Sequence, residues 1–383
     1  MVILGTSPVL LIEGLFRARA GQKVVFIDDA PAPGGAWSST SALQCDNVEG
    51  ACHLMVNYSG VYDFLANRCE IEMEIVSPQP LILHKGSLVP FNTTSQILTR
   101  SFSLAARIGL VSAIRAVELL TFNKWRFGPT KDYSISRAFQ NLTKRRFCPL
   151  IGPDTRKAFR YPKGGSPRMI KHLMDTLSAL SAEFIQAKAE GITIDDKNHV
   201  SVQIDTGTEI SSNELVVSES ASLDYIARNE EEVVFEPELN SHTALIARVS
   251  GIEPGSIGYV ELPFDPLVER VADVTDFCKN PPMDSRIVLF ENPGIGASGN
   301  PDPDPDAIMS YLKEKNILPE EAKVEEHVPH QINLRKGDPA LLKHLRSLSS
   351  NAVTVIPSKG DFSYSIHQNR KHWEALASRA EAR

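Results

Sequence analysis

The chain has 383 residues, 42% of them hydrophobic, enough for a large core and about two domains. A formal charge of -7 and a pI near 5.9 give it no general attraction to nucleic acid or to an anionic membrane. No apolar run reaches membrane-spanning length, and the strand expected from Val2 leaves no room for a signal peptide.

Residues 2 to 37 read as strand, turn, helix, strand and Gly-Gly turn. Val2-Ile3-Leu4 predicts a short buried strand, and Gly5 opens the turn after it. Leu10 to Ala20 has helical spacing, Gly21 stops the helix, and Val24-Val25-Phe26-Ile27 predicts a strand ending at Asp28. This order places a dinucleotide pyrophosphate on a helix N-terminus and a ribose hydroxyl on a carboxylate. Asp28 is the expected carboxylate, with Asp29 in its place if the register shifts by one. Such turns carry glycine for the tight turn, for approach to the pyrophosphate and for close helix–strand packing. Here those positions hold Gly5, Ser7 and Leu10. The Ser7 hydroxyl could itself meet a phosphate oxygen. Leu10 must fit where the helix passes nearest the strand, and Gly14 one turn on gives back some room. By itself the fragment leaves two readings open: a working dinucleotide site, or a βαβ unit that kept only the architecture.

Residues 60 to 100 alternate short apolar runs with turns, including two strands around Lys85-Gly86. From Thr94 to Phe147 the pattern is helical. Strands return from Ala182 to Val217, with a turn at Asp195-Asp196-Lys197-Asn198, and again from about Ala244 to Leu289. The run from Asn300 to Asp306 alternates proline and aspartate, which reads as a loop with helix-capping aspartates ahead of a helix from Ala307 to Lys315. A metal site there is the alternative. There is no internal repeat. Cys45, Cys52, Cys69, Cys148 and Cys278 are odd in number with no zinc-like spacing, so a reduced, cytoplasmic protein without a metal is expected.

Several segments in chain order resemble the UDP-galactopyranose mutase branch of the FAD-dependent amine-oxidase-like flavoproteins. Gly34-Gly35 follows Asp28 as in that family, and Glu49-Gly50-Ala51-Cys52-His53 is similar to its segment over the flavin. Val61-Tyr62-Asp63-Phe64-Leu65, the Leu88-Val89-Pro90-Phe91-Asn92 strand end and Tyr161-Pro162-Lys163-Gly164-Gly165 match further pieces. So do Asn213-Glu214-Leu215-Val216-Val217-Ser218, Arg270 and Phe290-Glu291-Asn292-Pro293. The departures are Ser7, Leu10, Cys52 at the family's flavin-facing histidine, Asn292 at its tyrosine, and a C-terminal strand without its Gly-Arg pair.

The resemblance implies an α/β chain: a Rossmann-like FAD-binding domain, a parallel sheet with helices, interleaved with a mixed sheet plus helical substrate domain. The expected cofactor domain is 1–60, 160–225 and 340–383, and the substrate domain is 61–159 and 226–339. FAD, reducible by NAD(P)H, would be held by Gly5, Ser7, Pro8, Asp28, Gly34, Gly35, Trp37 and Gly360. His53, Arg270 and Tyr364 are the expected catalytic residues, and Arg160, Tyr161, Lys163, Asn292 and His367 the substrate-binding ones. His53 could relay protons near neutrality, or be a satisfied buried histidine. Arg270 could contact substrate, or pair with Glu269 or Glu291.

The implied function is a flavin-dependent enzyme of mutase-like architecture acting on a nucleotide sugar or related polar substrate, without authentic galactopyranose mutase activity. The alternatives are a degenerate member that has lost FAD and serves a binding or structural role, and an amine-oxidase-like FAD oxidoreductase. A small-molecule substrate, with or without a phosphate, is the expected partner, with no nucleic acid and no membrane. Lys144, Arg145, Arg146, Arg156, Lys157, Arg160, Lys163, Arg168 and Lys171 crowd one region. They read either as an anion-binding cleft or as a solvated face.

Overall fold

The computed structural model describes residues 1–57, 60–84, 87–90, 158–219, 221, 223–228, 231–235, 238–262, 265, 267–291, 304–336, 339–347, 352–358 and 362–381. The helical stretch expected at 94–147 lies outside them, as do Lys144, Arg145, Arg146, Arg156, Lys157, Asn292 and Gly360.

Strand β1 (Val2–Leu4) leads into helix α1 (Pro8–Arg19) and returns as β2 (Val25–Asp28), parallel to β1 with Ile3 opposite Phe26. Ser7 is the α1 N-cap and Pro8 takes the first helical position, where its missing N–H is not needed. The helix lies tight against the sheet at Gly14. A Cβ on Gly14 would sit 2.3 Å from Phe26 Cζ. Leu10 instead packs into the core beneath the turn, its Cδ1 3.2 Å from where a Gly5 side chain would begin. Gly14→Ala is therefore expected to displace the buried Phe26 ring, lowering stability by about 1–3 kcal/mol in urea unfolding.

The chain then forms the hairpin β3 (Ser39–Ala42) and β4 (Cys45–Glu49), helix α2 (Val61–Arg68), strand β5 (Met73–Ile75) and the hairpin β6 (Leu81–His84) with β7 (Ser87–Pro90). Strand β8 (Arg160–Pro162) pairs antiparallel with β5, and α3 (Gly165–Ala179) leads to β9 (Glu183–Gln186), parallel to β2. A meander of β10 (Ala189–Ile194), β11 (Val200–Ile204) and β12 (Glu209–Ser212) precedes β13 (Leu215–Ser218), which lies beside β1. β14 (Tyr225–Arg228) and β15 (Glu231–Val234) extend the meander's sheet. Next come β16 (Glu238–Ser250), β17 (Tyr259–Glu261), β18 (Arg270–Asp273) and β19 (Arg286–Glu291). Helix α4 (Pro305–Glu314), strand β20 (Lys323–Lys336), helix α5 (Pro339–Ser347), strand β21 (Val353–Ile356) and helix α6 (Phe362–Glu381) complete the described elements. The Asp304 carboxylate caps α4 by accepting from the Asp306 N–H at 3.0 Å.

The fold is α/β: among the described residues a five-stranded parallel sheet stands with mixed sheets of five and seven strands and two two-stranded ones. The parallel sheet has the order β21-β13-β1-β2-β9. Its strands are apolar on both faces, as a sheet covered on both sides requires. Ile3, Phe26 and Val216 pack with α1, α3 and α6, while Val2, Leu4, Leu215 and Val217 pack with α5 and the meander. A seven-stranded sheet, β20-β16-β19-β18-β17-β6-β7, forms the other half. Helix α6 is locked to α1 through a fully buried Glu13. Its carboxylate accepts from Trp373 Nε1 at 2.5 Å and pairs with Arg17 at 2.8 Å. Phe16, Phe64 and Trp373 stack around it with ring centroids 5.7–6.1 Å apart. Among the described residues no helix is long and apolar enough to cross a membrane.

Candidate functional site

A crevice of about 550 Å³ opens at the N-terminus of α1. Its walls come from the carboxyl ends of the parallel strands: Leu4, Asp28, Ala187, Ser218 and Ser358. The chain leaves β1 toward β2 on one side of the sheet and returns as β13 on the other, so the crevice sits where the strand order reverses. Ligands of open parallel sheets bind at such points.

Thr6 holds the mouth together. Its N–H and hydroxyl both donate to Asp28 Oδ2, at 2.6 and 2.5 Å, and its hydroxyl accepts from the Gly34 N–H at 3.2 Å. Asp28 Oδ1 also accepts from the Ala30 N–H. Three of the roughly four lone-pair sites of the carboxylate are thus used, which leaves one for a ribose hydroxyl. Gly34 and Gly35 adopt φ of 115° and 58°, the left-handed region that favours glycine, and bring the turn against Ser7.

Two buried hydroxyls in this crevice, Ser7 Oγ and Ser358 Oγ, have no hydrogen-bond partner. Orphaned buried polar atoms are rare and call for a ligand or water. Ser7 adjoins the first-turn amides of α1, which no carbonyl of the helix can reach, and Ser358 lines the same crevice. Hydroxyls, amides and the positive end of a helix are a donor set for a diphosphate. Gly5, Ser7, Pro8, Asp28, Gly35 and Trp37 all line the crevice. The residues present therefore fit the adenosine diphosphate half of a flavin dinucleotide. Leu10 is in the wall, 1% exposed, and leaves the space open.

A second cavity of about 250 Å³ lies between β5, β8 and the seven-stranded sheet, lined among others by Glu49, His53, Arg160 and Tyr161. Glu49 was not anticipated from sequence. Its buried Oε1 accepts from Tyr161 Oη at 3.0 Å and from the Ser166 N–H at 2.6 Å. Gly165 makes this possible, since a side chain on it would start 2.7 Å from Phe277 and 2.9 Å from the Glu49 oxygen. Burial pushes the Glu49 carboxyl up to about 7 against the opposing pull of those hydrogen bonds.

His53 behaves differently from the expected proton relay. Burial and the nearby Arg270 charge push its pKa down to about 3 against a hydrogen bond to the Ala36 backbone. The ring is neutral at physiological pH, with Nε2 unpartnered. It stacks on Trp37, ring centroids 4.0 Å apart and planes 10° apart. Tyr161 and Phe362 flank the same indole at 6.1 and 4.6 Å. Trp37 lines the crevice and His53 the inner cavity, so this pair is a wall shared by the two.

The other expected residues are dispersed. Arg270 donates to Glu291 Oε1 at 2.9 Å across β18 and β19, and Glu291 Oε2 accepts from the Cys52 N–H. The guanidinium is thus in a buried ion pair that lines neither cavity. Lys163 pairs with Glu72 at 2.5 Å on the surface, and Lys171 with Asp175 at 2.7 Å. These two follow the solvated-face reading of the basic cluster. Tyr364 and His367 sit on α6 with rings 6.4 Å apart and line neither cavity; Phe362 and Ser365 of the same helix line the crevice.

No family model matches the sequence, and no curated protein sequence does. Solved structures do. A reduced UDP-galactopyranose mutase aligns with a TM-score of 0.61 at 13% identity, over 98% of this chain and 95% of that one. An oxidoreductase from Methanosarcina mazei aligns at 0.59 and 14%, over 93% and 94%. A RAB GDI from Plasmodium falciparum aligns at 0.54 and 13%, over 99% and 97%. Identities this low show a shared fold, and one fold here carries several activities.

Proposed function

We propose that this chain is a FAD-dependent oxidoreductase of the amine-oxidase-like architecture, with its substrate in the Glu49 cavity. The carrying observation is the pair of unpartnered hydroxyls, Ser7 and Ser358, in the crevice at the α1 N-terminus. They and the α1 amides would hold the diphosphate, and Asp28 the ribose. A bound flavin supplies hydride-accepting chemistry. The chain's own residues supply the rest. Glu49 holds or releases a proton near neutrality, Tyr161 orients that carboxyl, and His53 offers Nε2 as a neutral acceptor.

The lining favours a neutral or cationic polar substrate over a nucleotide sugar. Among the described residues, Glu49, Glu74, Asp273 and Asp276 face two arginines, Arg160 and Arg286. Arg286 is already paired with Asp273 at 2.8 Å and Asp276 at 2.9 Å. A diphosphate entering there would meet excess negative charge. Purified protein incubated with FAD and desalted is expected to keep flavin absorbance near one per chain, and to consume an electron acceptor with a small amine. A colourless product contradicts the reading. A second reading, a flavin-free nucleotide binder, is favoured by one observation, the Trp37–His53 stack.

A further inference from the structure

The crevice and the inner cavity share a wall made of stacked rings. At 4.0 Å and 10° the Trp37 and His53 faces are in contact, and no planar group fits between them. Phe362 closes the other side of the indole at 4.6 Å, and the indole is 8% exposed. Ser7, Ser358 and Asp28, which would hold an adenosine diphosphate group, all lie on the crevice side. Gly34 and Gly35, both with positive φ, lie one residue short of Trp37 and form the hydrogen-bonded turn that presents it, so opening the stack falls to the indole side chain.

We infer that Trp37 sets which nucleotide the crevice accepts: an adenosine diphosphate group enters with Trp37 in place, whereas a flavin ring reaches the inner cavity only once Trp37 leaves His53. This rests on the nucleotide reading of the crevice. The closed wall lowers the apparent affinity for the larger ligand by the fraction of molecules in which it stands open. It leaves the smaller ligand unaffected. The contacts broken are one face-to-face ring pair and the Phe362 edge, which sets the scale of the effect.

The test uses ADP and FAD as probes on the full chain, by titration calorimetry. Trp37→Ala is expected to raise the ratio of FAD affinity to ADP affinity about tenfold. Trp37→Leu, which keeps an apolar side chain in the core, is expected to shift the FAD-to-ADP ratio in the same direction. In the unmodified protein, FAD association is expected to level off with rising FAD concentration, as gating by the wall requires, while ADP association stays proportional to concentration. ADP binding with an FAD-to-ADP ratio unchanged in both variants overturns the inference and leaves the crevice reading standing. A protein that binds neither nucleotide overturns the crevice reading, and this inference with it.

Discussion

Glu49→Gln is expected to be more stable than the parent above pH 7 and nearly equal to it near pH 4. In the folded chain this carboxyl is pushed up from 4.5 to about 7 by complete burial. Between those values the folded state keeps a proton that the unfolded state has lost, so stability falls as pH rises through the window. The full penalty is present above the folded value. A shift of this size corresponds to about 3 kcal/mol. Glutamine keeps an acceptor oxygen for Tyr161 and the Ser166 N–H without the charge. Urea unfolding of both proteins from pH 4 to 8 gives the difference curve. His53 acts in the opposite direction, because its folded pKa is lowered and stability is lost as pH falls below 6.5. That slope is common to both proteins and cancels. Parallel curves would mean that Glu49 is not the group holding the proton.

Glu13→Ala is expected to lower stability by about 2–4 kcal/mol at pH 7, because it leaves the buried Trp373 Nε1 without its acceptor and Arg17 with Glu214 as its remaining ion-pair partner. Arg17 loses one of its two 2.8 Å ion pairs, Trp373 Nε1 its acceptor, and the half-exposed His372 a contact at 3.2 Å. Burial pushes the Glu13 carboxyl up, but His372 and Arg17 together outweigh it and hold the carboxyl below its ordinary value. The contribution of Glu13 is therefore present above the unfolded carboxylate range and is lost as pH falls. A loss under about 1 kcal/mol in urea unfolding would show that α6 does not depend on this carboxylate.

The opening βαβ unit was legible because each of its signals is local: an apolar triplet, a helix stop at Gly21, a strand ending in Asp28. The Gly164-Gly165 signal was legible as a motif but not as a cause. At Gly165 the reason is the space needed by Glu49, which arrives from β4. The room that Gly14 gives back was legible from its spacing; that Leu10 fits as a buried wall residue is tertiary information, as is the Phe26 ring set against Gly14. The pairing of Arg270 with Glu291 follows from strand register, and the register of β18 on β19 is tertiary information. The Trp37–His53 stack joins two segments only through the folded core, so no spacing rule could have found it.

The central claim is that the α1 N-terminus receives a diphosphate, and Ser7→Asp tests it most directly. Aspartate caps a helix at least as well as serine, so the fold and the melting temperature are expected to hold. Its charge sits where phosphate oxygens are placed. The account predicts that the parent protein binds ADP and that Ser7→Asp weakens this binding by about tenfold or more at unchanged melting temperature. Equal ADP binding by the two proteins would contradict it.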